Sequence, residues 1–116
     1  VKGVNHNLQP PQLTNRPNPQ FDAWFAGLRD GLTQRRLVAR LRKVSLGNLG
    51  DVKSVGDGVY ELREFFGPGW RMYYVQRGSV VIVMLGGGDK STQQADIAAA
   101  QALAATLEPE EGEKKE

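Results

Sequence analysis

Cationic and carboxylate side chains gather where the sequence turns from helical to extended periodicity. Over residues 59–66, Glu61 and Arg63 alternate with Tyr60 and Leu62, so the two charged residues share one strand face. Over residues 70–76, Arg71, Tyr73 and Val75 point one way and Trp70, Met72 and Tyr74 the other. A carboxylate beside two arginines can act as a base or orient the cations. The planar guanidinium grips two phosphate oxygens at once and stays charged. The plainer alternative is ion pairing that holds strand register, Arg71 with Glu61 or Glu64. Lys53 precedes these strands and Lys90 follows them. A second basic row, Arg36, Arg40 and Lys43, recurs at helical spacing. It fits a solvated helix face, and it also fits a polyanion or an acidic partner.

Composition removes several other chemistries. The 116 residues suffice for one domain. There is no cysteine, so disulfides, thiolate nucleophiles and zinc–cysteine sites are excluded. The single histidine, His6, lies in a polar, proline-rich stretch, which leaves no His donor for a Ser-His-Asp triad or a His metal site. We expect no metal and no cofactor. The run Gly86-Gly87-Gly88-Asp89-Lys90-Ser91 is rich in glycine but lacks the GxxxxGK[ST] spacing of a nucleotide-binding loop. No stretch is apolar enough to cross a bilayer, and the start does not read as a signal peptide. A soluble cytoplasmic protein without membrane contact is expected.

The elements that must position these residues follow from periodicity. Residues 1–20 hold four of the six prolines and read as a disordered or divergent leader, with a short edge strand at 7–13 opposed by Pro10 and Pro11. Phe21, Trp24, Phe25 and Leu28 recur at helical spacing and predict a helix over 21–30, stopped by Asp30-Gly31. Leu37, Leu41 and Val44 predict a second helix over 32–46, so the two form an αα-hairpin. A short extended piece at 52–55 precedes the strands at 59–66 and 70–76. Residues 79–85 are apolar on both faces and predict a covered central strand. Gly86 to Gly88 are expected to release the chain into an alanine-rich helix over 92–107, capped by Asp89 or Ser91. The 108–116 tail carries five acids against Lys114 and Lys115 and reads as disordered. Residues 21–107 thus form one α+β domain, a helical hairpin packed on a twisted antiparallel sheet with a C-terminal helix.

Four ordered segments resemble one family. They are FDAWFAGLRD at 21–30, GDVKSVGDGVYELR at 50–63, GPGWRMYYVQRG at 67–78 and GGDKSTQQADIAAA at 87–100. Together they resemble the HigB-like addiction module killer proteins of the RelE/ParE superfamily. The resemblance implies a RelE-like fold and the toxin of a type II toxin–antitoxin module, paired with a helix-turn-helix antitoxin. It implies a metal-independent endoribonuclease that cuts mRNA on the ribosome, the ribose 2′-hydroxyl attacking the adjacent phosphate. Arg71 matches the arginine that the family aims at the scissile phosphate, with Arg63 and Glu61 beside it. Lys53 matches a basic position facing RNA and would take the 2′-hydroxyl proton. Lys90 would serve the leaving 5′-oxygen or a flanking phosphate. Tyr73, on the Arg71 face, would stack on a base, and Arg36, Arg40 and Lys43 would run along ribosomal RNA or meet an acidic antitoxin. The chain departs from the group twice. Arg16-Pro17-Asn18-Pro19 stands where members carry a strand, and Gly86 to Gly88 stand where several relatives place a proton-transferring His or Tyr. The same fold also admits a ParE-type inhibitor of DNA gyrase, or an inactive relative that only binds an antitoxin.

Overall fold

A computed structural model of the chain describes residues 14–16, 18–79 and 81–107. The elements run β1 (Thr14–Arg16), α1 (Pro19–Ala26), α2 (Gly31–Ser45), β2 (Val52–Gly56), β3 (Val59–Arg63), β4 (Trp70–Arg77) and β5 (Val81–Asp89). A 3-10 turn, Lys90–Thr92, then leads into α3, Gln93–Thr106. The result is an α+β architecture: β2 to β5 form an antiparallel sheet, and β1 adds a fifth strand in the order β1-β5-β4-β3-β2.

The segment expected to be a disordered leader contributes two features. Thr14–Arg16 pairs in parallel with β5, Thr14 opposite Val81 and Arg16 opposite Val83. Asn18 then caps α1, its side-chain oxygen accepting from the amides of Gln20 at 2.9 Å and Phe21 at 3.4 Å. Pro19 opens the helix where a missing N–H costs nothing. Pro19, in the Arg16 to Pro19 stretch that reads poorly as a strand, thus serves a helix start. The 7–13 strand and the acidic 108–116 tail lie outside the described residues.

Asp30, expected to stop the first helix, begins the second: it accepts from Leu32 N at 3.3 Å and from Thr33 Oγ1 at 2.9 Å. The Thr33 hydrogen bond, followed by that of Leu32, holds the Asp30 carboxyl below the usual carboxylate range. Gln34 fastens the hairpin by donating to the carbonyls of Phe25 and Leu28.

The sheet is covered on both faces, which explains why β5 is apolar on both sides. On one face Phe21, Leu37 and Val44 from the hairpin pack on Leu62, Met72, Tyr74, Ile82 and Met84. On the other, Ala100 and Ala104 of α3 pack on Val59, Tyr73, Val75, Val83 and Leu85. Trp70, Met72 and Tyr74 share the hairpin face, as their alternation predicts.

The triple glycine does not release the chain. It continues β5, with Gly86 opposite Tyr73, Gly87 opposite Met72 and Gly88 opposite Arg71. A register shift between Tyr73 and Tyr74 leaves Leu85 as the extra residue of a bulge. At Gly87 and Gly88 glycine is favoured by close approach. A Cβ on Gly87 would lie 2.5 Å from the Trp24 ring, and one on Gly88 would collide with the Asp96 carboxylate.

Candidate functional site

Strand alternation sends Glu61 and Arg63 of β3, and Arg71 and Tyr73 of β4, to the face opposite the hairpin. The ladder then aligns them: Arg63 stands opposite Arg71, and Glu61 opposite both Tyr73 and Lys53 of β2. α3 covers the apolar end of this face and reaches Glu61 through Gln93.

Arg71 is only 4% exposed. Its Nη1 donates to the carbonyls of Glu64 at 2.9 Å and Trp70 at 3.0 Å. Its Nε lies 4.0 Å from Glu61 Oε2, too far for a hydrogen bond, and is left without a partner. Glu61 is fully buried. Its Oε2 accepts from Tyr73 Oη at 3.0 Å and from Gln93 Nε2 of α3 at 2.8 Å. Its Oε1 has no partner. Glu61 Oε1 and Arg71 Nε, on neighbouring side chains, are both buried and unsatisfied, and mark a spot where polar contacts remain to be made.

Burial first, then the charge of Glu61, pushes the Tyr73 hydroxyl well above its ordinary pKa of 10.0, so it remains a hydrogen-bond donor to the carboxylate. Tyr73 is completely buried, so its predicted role as a base-stacking residue is corrected. The ring is core beneath α3, and its hydroxyl orients Glu61. Glu61 is equally buried, and its side chain meets Tyr73 and Gln93 rather than solvent.

Arg63 is half-exposed and its Nε donates to Asp51 Oδ1 at 3.3 Å. Lys90 is exposed and lays its stem over Gly69. A Cβ there would meet Lys90 Cδ at 2.5 Å and Arg71 Nη1 at 3.7 Å, which sets Lys90 beside Arg71. Lys53 is exposed on β2. Asp89 caps the 3-10 turn, accepting from the amide and hydroxyl of Ser91, and is held below the usual carboxylate range by those bonds; neither Asp89 nor Ser91 caps α3, whose N-cap Thr92 makes no side-chain cap bond. The structure therefore brings Lys53, Glu61, Arg63, Arg71 and Lys90 into one region.

It does not bring the α2 row there. Arg40 is turned inward, its guanidinium donating to the carbonyls of Arg63, Leu49 and Asp51 at 2.8 Å each and to Glu64 Oε2 at 2.5 Å. It is a structural clasp, and its predicted RNA-binding role is corrected. Arg36 lies over the Phe66 ring at 4.4 Å on the hairpin side, and Lys43 is exposed on α2.

Two members of the site escape sequence reasoning. Gln93 carries no local signal. Phe65 is 69% exposed, with the guanidinium carbons of Arg63 and Arg71 each 5.7 Å from its ring centroid. The only hint of it is the Phe65-Phe66 doublet at a strand end, where one ring must face outward. Among the described residues no group of three His, Cys, Asp or Glu is arranged to hold a metal, and no helix is long and apolar enough to cross a membrane.

An uncharacterized protein of Haemophilus influenzae (strain ATCC 51907 / DSM 11121 / KW20 / Rd) is 42% identical over 87 residues, which cover 75% of this chain and 88% of that protein. The chain belongs to the family of that protein. No family model and no solved structure matches the chain.

Proposed function

We propose that this protein is a HigB-like toxin of the RelE/ParE superfamily and that it cleaves mRNA on the ribosome without a metal, as the partner of a helix-turn-helix antitoxin. The observation that carries the reading is the direct register of Arg63 with Arg71. Like charges opposite each other in a ladder are unfavourable, and a bound phosphate removes the penalty. A RelE-like arrangement is supported by β1, which supplies the strand before the first helix whose absence the sequence suggested.

In this reading Arg63 and Arg71 hold the scissile phosphate and the charge that grows on it in the transition state. Glu61, fixed by Tyr73 and Gln93, positions the Arg71 fork. The 2′-hydroxyl attacks phosphorus as the Lys53 amine takes its proton, and the P–O5′ bond breaks to leave a 2′,3′-cyclic phosphate. Lys90, on the Gly69 side of Arg71, donates to the departing 5′-oxygen. On the outer face of the hairpin, Phe25, Val38 and Ala39 line a groove with Arg35 and Arg42, and an acidic amphipathic antitoxin segment fits it.

The second reading, a ParE-type gyrase inhibitor, is favoured by Gly86 to Gly88, which leave the end of β5 without a His or Tyr for proton transfer. Controlled expression with mapping of new 5′ ends on cellular mRNA separates the two. In-frame cuts within translated regions that vanish in Arg71→Ala support the nuclease. Growth arrest with intact mRNA and arrested gyrase overturns it.

A further inference from the structure

Phe65 is the most exposed of the large hydrophobic residues described, and it is held in place. The amide of Glu64 donates to Trp70 O at 2.9 Å, the Arg71 guanidinium donates to Glu64 O at 2.9 Å, and Gly69 N donates to Phe66 O at 3.1 Å. Phe66 turns inward and packs against the hairpin core. A ring kept out of the core on a braced backbone, with two guanidiniums against it, suits a flat ligand group that carries an anion close by. Arg63 and Arg71 sit 5.7 Å from the ring centroid, the scale of the one sugar that separates a phosphate from its base. Stacking on an aromatic face needs an unpaired base.

We propose that Phe65 is the platform on which the unpaired base next to the phosphate held by Arg63 and Arg71 stacks. The site therefore takes single-stranded RNA, and purines, which present the larger π-face, are preferred at that nucleotide. This rests on the phosphate reading of Arg63 and Arg71 above.

The test uses the full chain and a short single-stranded oligoribonucleotide carrying 2-aminopurine beside a phosphate protected by a 2′-deoxy sugar. Wild-type protein should quench the 2-aminopurine and bind with a salt-dependent affinity. Phe65→Leu should abolish the quenching and weaken binding roughly 5- to 150-fold without changing the salt slope. Phe65→Trp should restore both. Arg63→Gln should instead lower the salt slope by about one. If Phe65→Leu binds and quenches like wild type while Arg63→Gln is weakened, the platform is overturned and the phosphate site stands. If the wild-type chain neither binds nor quenches, and Arg63→Gln changes nothing, both fall.

Discussion

Arg63 and Arg71 stand directly opposite each other on β3 and β4, each with a carboxylate near its Nε: Asp51 at 3.3 Å from Arg63, and Glu61, on the same strand as Arg63, at 4.0 Å from Arg71. Arg63 is half-exposed and its ion pair is a surface one, so it adds little stability. Arg63→Gln should leave the unfolding free energy within about 0.5 kcal/mol of wild type and lower RNA cleavage on the order of 100-fold. Denaturant titration and single-turnover cleavage on programmed ribosomes check the two halves. A variant that keeps full cleavage would remove Arg63 from the site.

Arg40 and Lys43 come from the same helical row and should behave oppositely. Arg40 makes four hydrogen bonds, to Leu49 and Asp51 ahead of β2 and to Arg63 and Glu64 at the end of β3, and removing one partner from such a buried charged network costs about 3 kcal/mol. Arg40→Met should show that loss in urea unfolding. Lys43→Ala, at an exposed position, should change stability by less than about 0.5 kcal/mol.

The glycine run separates in the same way. Gly87→Ala places a methyl group against the Trp24 ring and should cost about 1–3 kcal/mol through overpacking. Gly86→Ala meets nothing within 4 Å and should be neutral or stabilising by a few tenths of a kcal/mol to about 1 kcal/mol. Thermal unfolding of the two variants decides it.

Tyr73 sets an alkaline limit on the fold. Its pKa is raised in the folded state by burial and then by Glu61, and burial raises that of Tyr74 as well. Above the ordinary value of 10.0, the unfolded chain gives up phenolic protons that the folded chain retains. The unfolded state then binds fewer protons, so stability falls as pH rises. Tyr73→Phe should cost about 2 kcal/mol at neutral pH through the lost hydrogen bond to the Glu61 carboxylate. It should also flatten the decline between about pH 9 and about pH 11. Urea titrations at those two pH values measure it, and an unchanged slope would remove Tyr73 as its cause.

Period-two alternation and helical spacing in the sequence determined which residues share a face. Glu61, Arg63, Arg71 and Tyr73 lie together opposite the hairpin, and Trp70, Met72 and Tyr74 lie under it, because a strand's side chains alternate whatever surrounds them. Whether a face is covered is another matter, and only the tertiary structure decided it. α3 buries Tyr73 and Glu61 and leaves Phe65 outside, and the strand ends around Asp51 and Glu64 draw Arg40 out of its helical row. The same holds for Gly87 and Gly88, set against the Trp24 ring and Asp96. It holds for β1, which exists only by pairing with β5 from the far end of the chain. Local spacing fixes direction, whereas burial and pairing depend on residues distant in sequence that no local window contains.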